Sequence, residues 1–371
     1  MRPTLPSAYG AENGHFGGVG EDHLRGAVST RIPAGRYAHG VDADPPGLDL
    51  ARLAGHLQRA GLTEGPLTAE LIVGGRSNLT YVVRDAERTY VVRRPPLGHV
   101  LATAHDMARE HQVMSALRDT AVPVPRMFHL CRDAEVIGAP FFVMEHVEGG
   151  QPPLTPALAH ALVDVLAALH SIAPGSVGLG DFGRPEGFLE RQAARWKRQL
   201  DASRSRDVPG FDDLYERLIR DVPPQGGSAI LHGDFKLGNT LVAGGEVRAV
   251  LDWEMSTLGD PLTDLALFLL YGEVAALDPA AGRAVGAVVE AGGEAPPLPI
   301  EAGADLAARY GEASGRDLSR FGWYTGLACF KLAVIAEGIH FRHAMGLTVG
   351  EGFAGIGEQV APLVARGLME V

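Results

Sequence analysis

The stretch His232-Gly-Asp-Phe-Lys-Leu-Gly-Asn239 places a carboxylate, Asp234, five residues before an amide, Asn239. Short apolar runs flank the stretch, at 230–231 and at 247–251. A tight loop between two such runs could direct both side chains into one site. Gly, Asp and Asn also gather in turns that have no chemical role. Taken alone, the stretch therefore leaves a functional loop and an ordinary turn both open.

A second carboxylate, Asp252, follows directly after the apolar run 247–251. Transfer of a phosphoryl group requires a carboxylate that accepts the proton of a hydroxyl group, and oxygen ligands for Mg²⁺. Asp234, Asn239 and Asp252 together supply these oxygen atoms. The combination favours a phosphoryl-transfer site over a chance set of turn residues.

The composition narrows the class of protein. With 371 residues, of which 46% are hydrophobic and 21% charged, the chain can form two lobes, because single cores stop growing near roughly 250 to 300 residues. The formal net charge of −12 argues against broad nucleic-acid binding, which depends on clustered Lys and Arg. Cys131 and Cys329 lie far apart in the sequence, so we predict neither a disulfide framework nor a Cys-based zinc site. We also expect no export signal, no membrane span and a cytoplasmic location.

The pattern of apolar residues predicts an α+β fold with a strand-rich first part and a mostly helical second part. Residues 1–46 are rich in Gly, Pro and polar side chains, and we interpret them as a flexible tail. The predicted elements are a helix at 48–61, strands at 71–73, 80–83 and 89–92, a helix at 103–117, strands at 127–131 and 140–147, and helices at 157–172 and 189–200.

Several motifs resemble the aminoglycoside phosphotransferase and choline kinase superfamily, which is related to the protein kinases. Within it, the chain is similar to the branch that contains the kinase-like domain of acyl-CoA dehydrogenase family members 10 and 11. The motifs are Gly74-Gly-Arg-Ser-Asn-Leu-Thr80, Val92-Arg-Arg-Pro-Pro-Leu-Gly98, Ala104-His-Asp-Met107 and Arg195-Trp196. The resemblance implies a protein-kinase-like fold, with a small antiparallel N-lobe at 47–147 and a larger helical C-lobe at 148–371.

The resemblance also implies roles for individual residues, with ATP and Mg²⁺ as cofactors. Asp234 would be the catalytic base, Asn239 and Asp252 would bind Mg²⁺, and His232 would brace the loop. The Gly74 turn would cover the phosphates, since Gly lets backbone N–H groups approach closely. Asp260 and Asp264 would have structural roles. The nucleotide-binding residues that the resemblance implies are Gly74, Gly75, Ser77, Asn78, Arg93, Glu110, Glu145 and Val147.

One position departs from the general kinase pattern, which places a Lys on the third strand to pair with the phosphates and with a helix Glu. The three lysines of the chain all lie beyond residue 190, so none can occupy that strand. Arg93 stands at the matching position, and we predict an ion pair between Arg93 and Glu110. Arg and Lys are not interchangeable at such a site. The alternative is that Arg93 is an exposed strand-end residue and that Arg94 takes this role.

The predicted helix at 189–200 carries Arg191, Arg195 and Arg198 on one face, with Trp196 off that face. We interpret Arg191, Arg195 and Trp196 as acceptor-binding residues. A basic helix near the site favours an anionic acceptor, such as a hydroxy acid or its coenzyme A ester, over a polycationic aminoglycoside. A solvated basic face is the alternative. Lys331 is interpreted as a packing or surface residue.

Two further functions remain open at this stage. An aminoglycoside or amino-alcohol kinase would use the same loop on a different acceptor. A nucleotide-binding pseudokinase with a regulatory role would explain the absent strand Lys, but it would not need Asp234, Asn239 and Asp252 together. No long activation loop follows Asp252, and Glu254 could either assist a second Mg²⁺ or hydrogen-bond the loop. The sequence does not indicate an oligomeric state.

Overall fold

The computed structural model describes residues 44–72, 78–98, 106–277, 302–347 and 355–371. The predicted glycine turn, with Gly74, Gly75 and Ser77, lies outside the described residues, and so does the predicted tail as far as residue 43. Pro46, at the end of that predicted tail, contacts the sheet. The Tyr81 hydroxyl group donates a 2.5 Å hydrogen bond to the Pro46 carbonyl oxygen.

An antiparallel sheet of five strands in the order β1-β2-β3-β5-β4 forms the first part of the described chain. Its strands are β1 (Thr68–Leu71), β2 (Leu79–Arg84), β3 (Thr89–Arg94), β4 (Met127–Cys131) and β5 (Phe141–Glu145). The prediction of a first strand at 71–73 was wrong by several residues. The strand begins at Thr68, because Thr68 pairs with Arg84 and Leu71 pairs with Tyr81. The side chain of Ile72 is exposed.

The two faces of this sheet pack against different helices, because successive side chains of a strand point to opposite sides. Val92 and Val143 belong to a small core with helix α1 (Leu50–Arg59). Val91 and Met144, opposite each other in the register, join the large core that includes helix α2 (Met107–Leu117). Arg93 follows Val91 by two positions, so its side chain is also directed toward α2.

The second part of the chain is mostly helical, as predicted. Its helices are α3 (Pro156–Ser171), α4 (Phe188–Ser203), α5 (Phe211–Arg220), α6 (Leu262–Leu277), α7 (Ala302–Ser314), α8 (Phe321–Ala344) and α9 (Val360–Leu368). The long helix α8 packs against α4, α5, α6 and α9 and is the centre of the large core. Within the described ranges, no helix combines the length and the apolar character that a bilayer-spanning segment needs.

Two short ribbons bring the candidate site together. Strand β6 (Ala229–Leu231) pairs with β9 (Thr257–Gly259), and β7 (Thr240–Ala243) pairs with β8 (Glu246–Val250). The second pairing sets Thr240 opposite Val250, and the Leu251 N–H donates a 2.8 Å hydrogen bond to the Asn239 carbonyl oxygen. The loop after β6 and the residue after Leu251 are therefore neighbours, although they are separate in the sequence.

Candidate active site

His232 and Asp264 hold the loop between β6 and β7. The Asp264 carboxylate accepts hydrogen bonds from the backbone N–H groups of His232, at 2.6 Å, and Gly233, at 2.9 Å. Nδ1 of His232 accepts from the Asp234 N–H at 3.2 Å, so Nε2 carries the hydrogen and donates to the Leu251 carbonyl oxygen at 2.9 Å. These bonds confirm the expected bracing role of His232 and the structural role of Asp264.

A close backbone contact with the segment at Met255 requires glycine at position 233. Its φ of +85° lies in the left-handed region, and a Cβ atom at this position would come within 2.5 Å of the Met255 carbonyl oxygen. A side chain would therefore push the loop away from the segment that follows Asp252. The Gly233 carbonyl oxygen in turn accepts a 2.9 Å hydrogen bond from Nζ of Lys331 on α8.

The Asp234 carboxylate is held at both oxygens. Oδ1 accepts a 2.7 Å hydrogen bond from the Tyr271 hydroxyl group, and Oδ2 accepts from Lys236 Nζ at 2.7 Å and from Asn239 Nδ2 at 3.2 Å. Burial raises the pKa of Asp234, but the charges of Lys236 and Lys331 outweigh this effect and lower the pKa below its usual value. Asp234 is therefore an ionised, oriented carboxylate at neutral pH. Sequence reasoning assigned no role here to Tyr271, Lys236 or Lys331.

Asn239 and Asp252 provide oxygen atoms that fit Mg²⁺. Asn239 Nδ2 also donates to the Asp234 carbonyl oxygen at 2.9 Å, which leaves the amide oxygen Oδ1 to bind a cation. Asp252 has φ 65° and ψ 58°, the only left-handed residue other than Gly among those described. Such backbone costs about 1 to 3 kcal/mol and is concentrated at functional sites. A carboxylate and an amide oxygen are ligands that Mg²⁺ prefers.

The predicted ion pair between Arg93 and Glu110 is present, with Nε of Arg93 3.2 Å from Oε2 of Glu110. The side chains are only 12% and 2% exposed. Arg93 Nη2 also donates to Asp252, so one guanidinium group joins α2 to the candidate metal ligand. Burial raises the pKa of Glu110 to about 7, against the opposing effect of the Arg93 charge.

Arg94 takes no part in this site. Its Nη1 donates to the carbonyl oxygens of Ile137, at 2.7 Å, and of Gly47, and the residue is 5% exposed. Because Arg94 directly follows Arg93 on β3, its side chain points to the opposite face of the sheet. The alternative in which Arg94 replaces Arg93 is therefore wrong.

The structure describes three of the other implied nucleotide-binding residues. Asn78 is buried and its Nδ2 donates a 3.1 Å hydrogen bond to Glu254, while its Oδ1 has no hydrogen-bond partner among the described residues. The Glu145 backbone N–H donates to the Arg126 carbonyl oxygen at 2.8 Å. Val147 lies just beyond β5, half-buried. Their nucleotide-binding roles stay predictions.

A cavity of about 530 Å³ opens beside the loop at Gly233. Three cationic side chains line it: Arg109 from α2, Arg195 from α4 and Lys331 from α8. None of the three forms an ion pair with a carboxylate in the described part of the chain. Burial lowers the pKa of Lys331, while Asp234 and Asp264 favour its charged form.

The carboxylates of the cavity wall already have hydrogen-bond donors of their own. Asp106 caps α2 by accepting hydrogen bonds from the N–H groups of Ala108 and Arg109. Asp264 accepts hydrogen bonds from the backbone of the loop, and Glu254 accepts one from Asn78. The cations contact neutral groups instead. Arg109 donates to the carbonyl oxygens of Phe182 and Ser256. Among the described residues, the three cations therefore have no direct carboxylate contact and are available to an anionic group of an occupant.

Helix α4 presents a different face to the cavity from the one that the sequence predicted. Phe188, Gln192, Arg195 and Trp196 line the cavity, whereas Arg191 donates to the carbonyl oxygens of Arg184 and Glu186 in the turn before α4. The prediction that Arg191 shares a site with Arg195 is corrected, because the loop before the helix engages its guanidinium group. Trp196, placed off the basic face, is 5% exposed and lies in the wall.

A small antiparallel sheet, a helical part and a carboxylate loop braced by His232 define the class: this is a protein-kinase-like phosphotransferase fold. The chain belongs to the phosphotransferase enzyme family, whose model matches residues 68–320. A crystal structure of a Ralstonia eutropha protein, provisionally named an aminoglycoside phosphotransferase, is 30% identical, with a TM-score of 0.74. The match covers 87% of this chain and 98% of that one. A spectinomycin phosphotransferase solved with ADP and spectinomycin shares the fold, at 14% identity and a TM-score of 0.58.

Curated relatives confirm the similarity to acyl-CoA dehydrogenase family members 10 and 11. Member 11 of Gallus gallus is 34% identical over 320 residues, which cover 82% of this chain and 40% of that protein. Member 10 of Mus musculus is 37% identical over 214 residues, which cover 54% of this chain and 20% of that protein. The chain thus spans less than half the length of these relatives.

Proposed function

We propose that the protein is an ATP- and Mg²⁺-dependent phosphotransferase that phosphorylates a hydroxyl group of a small anionic molecule, such as a hydroxy acid or a hydroxyacyl-coenzyme A ester. The observation that carries this proposal is the cavity beside Gly233, lined by Arg109, Arg195 and Lys331. A cytoplasmic location, where ATP and Mg²⁺ are present, fits this activity.

The arrangement of the loop residues supports this transfer. Asp234 would accept the proton of the acceptor hydroxyl group. The hydroxyl oxygen would form a bond to the γ-phosphorus of ATP as the bond between that phosphorus and ADP breaks. Tyr271 and Lys236 hold the carboxylate in one orientation. Asn239 and Asp252 would hold Mg²⁺, which neutralises charge on the phosphate oxygens when it is bound.

Arg93 would bind the nucleotide phosphates in place of the lysine of the general kinase pattern. Its contacts with Glu110 and Asp252 place the positive charge between α2 and the metal ligand. Arg remains charged at any working pH, and its planar group can bind two phosphate oxygens at once. We therefore interpret Arg93 as a phosphate-binding residue that supports catalysis, which argues against the pseudokinase alternative.

The charge of the cavity separates the possible acceptors. An aminoglycoside or choline carries positive charge and would face Arg109, Arg195 and Lys331, while the wall carboxylates Asp106, Glu254 and Asp264 already accept hydrogen bonds from the protein. Unpaired like charges at a binding site cost several kcal/mol. A carboxylate or phosphate on the acceptor would be attracted instead.

A panel of acceptors tests the proposal. The full chain with Mg-ATP is assayed with hydroxy acids of increasing length, their coenzyme A esters, kanamycin and choline, and products are identified by mass spectrometry. We expect turnover with the anionic acceptors and none in Asp234→Asn. Phosphorylation of kanamycin or choline alone would overturn the acceptor class. Tight Mg-ATP binding without transfer to any acceptor would identify a nucleotide-binding protein instead.

A further inference from the structure

Three side chains that can bind a transition metal meet in the small core, away from the loop residues. One ring nitrogen of His56, one of His129 and Sγ of Cys131 all lie within 4.8 Å of one another. Nε2 of His56 is 2.9 Å from Nε2 of His129. His56 is in the last turn of α1, and His129 and Cys131 are two positions apart on β4, so they share one side of that strand.

We propose that His56, His129 and Cys131 form a Zn²⁺ site that joins α1 to the edge strand β4. Two imidazole nitrogens and one thiolate are ligands that Zn²⁺ prefers over Mg²⁺. With Zn–N near 2.0 to 2.1 Å and Zn–S near 2.3 Å, tetrahedral ligand atoms lie about 3.3 to 3.6 Å apart. The observed separations, 2.9 Å between the two Nε2 atoms and at most 4.8 Å within the cluster, bracket this spacing. A water molecule would complete the four ligands, because both histidines are only half-buried.

Zinc binding would exchange the S–H bond of Cys131 for a Zn–S bond and release one proton to solvent. Among the described residues, the hydrogen-bond partner of the thiol is the Asp133 carbonyl oxygen, which accepts from Sγ at 3.5 Å.

Apolar side chains line one side of the candidate metal site. The Phe141 ring lies 5.7 Å from the ring of His56 and 6.5 Å from that of His129, measured between centroids. Buried Leu53 and Leu57 of α1 belong to the same core. Apolar walls restrict water and hold the ligands in place. Because β4 is the edge strand of the sheet, it is hydrogen-bonded to another strand on one side only, and the metal would attach it to α1.

Cobalt is the probe of choice, because a Co²⁺–thiolate bond gives a charge-transfer absorption band that oxygen ligands do not give. The purified full chain is stripped with a chelator and titrated with Co²⁺, and then with Zn²⁺ against a competing chelator. We expect one equivalent of metal with a thiolate band, and a higher melting temperature with Zn²⁺. Cys131→Ser should lose the band, and His56→Gln should lower the Zn²⁺ affinity at least about 10-fold.

Cys329→Ala is the matched control, because Cys329 is buried in α8 and should leave the band unchanged. His56 is half-buried, so His56→Gln keeps the test valid if Cys131→Ser fails to fold, as judged by circular dichroism. A folded wild-type chain without a thiolate band would overturn the site. So would a band that survives in Cys131→Ser, or a Zn²⁺ affinity that is unchanged in His56→Gln.

Discussion

The hydroxyl group of Tyr271 donates a 2.7 Å hydrogen bond to Oδ1 of Asp234, from a position 37 residues further along the chain. Burial raises the pKa of Tyr271 well above its usual value, so the hydroxyl group stays protonated and remains a donor. We expect Tyr271→Phe to lower kcat about 10-fold, since hydrogen bonds to charged groups are worth roughly 1.5 to 3 kcal/mol. Steady-state kinetics measure this.

Tyr90→Phe serves as the control for this change. Tyr90 is also buried, but its hydroxyl group bonds to the Leu62 carbonyl oxygen in the small core. Its loss should leave kcat nearly unchanged. An equal fall of kcat in both variants would indicate a general effect of burying Phe rather than an effect on Asp234.

Arg93 should control the use of ATP. We expect Arg93→Ala to lower kcat/KM for ATP at least about 10-fold, because it removes the ion pair with Glu110 and the charge-assisted hydrogen bond to Asp252. Arg93→Lys should recover part of the activity, since a single ammonium group keeps the charge but cannot reproduce the fork that contacts Glu110 and Asp252. Arg84→Ala, at a more exposed pair with Glu70, is the control. Normal ATP kinetics in Arg93→Ala would remove this assignment.

The contrast between Arg93 and Tyr271 shows what the sequence could predict. The resemblance to the kinase pattern indicated the pairing of Arg93 with Glu110, and alternation along β3 places Arg93 on the face that meets α2. Tyr271 lies on α6, which is apolar on nearly every side, and no periodic stripe indicates which residue faces Asp234. Lys331 and the His56–His129 pair depend in the same way on how distant helices and strands pack. Long-range packing, not local propensity, decides these contacts.

Lys331 should determine the preference for anionic acceptors. Lys331→Gln keeps a donor for the Gly233 carbonyl oxygen but removes the positive charge from the cavity. We expect the KM for an anionic acceptor to rise at least about 10-fold while the KM for ATP changes little, because a buried charged hydrogen bond is worth about 1.5 to 3 kcal/mol. Lys197→Gln, at a surface pair with Asp201, is the control. An unchanged acceptor KM would exclude Lys331 from acceptor binding.

Two substitutions of Asp252 distinguish the effect of its left-handed backbone on stability from the effect of its carboxylate on activity. Asp252→Gly and Asp252→Ala both lose the carboxylate and the bond to Arg93, so both should lose phosphoryl transfer. Only Gly adopts φ 65° without steric strain. We therefore expect Asp252→Gly to have a free energy of unfolding about 1 kcal/mol higher than Asp252→Ala. Equal stability of the two variants in urea would show that the left-handed backbone is not strained.

Glu337 on α8 gives a pH-dependent contribution to stability. Its carboxylate accepts hydrogen bonds from the Ser205 hydroxyl group at 2.8 Å, the Ser205 N–H at 3.2 Å and Arg206 Nε at 3.1 Å. Burial raises the pKa of Glu337, but these bonds outweigh it and lower the pKa below its usual value. A lowered pKa means that the folded state prefers the ionised form. The stabilisation is therefore complete above the unfolded-state pKa, near about 4.3, and is lost as the pH falls through the folded-state value.

Glu337→Gln should lower the free energy of unfolding at pH 7 by about 1 to 3 kcal/mol, because buried donors lose a charged acceptor. The difference from wild type should persist at pH 5.5 and shrink as the pH falls below about 4.3, where the wild-type carboxyl group also becomes protonated. Urea denaturation across this range measures it, with Glu216→Gln on the exposed side of α5 as the control. A difference that stays constant down to the acid limit of folding would show that packing of the side chain, rather than its charge, stabilises this junction of α8 with the segment after α4.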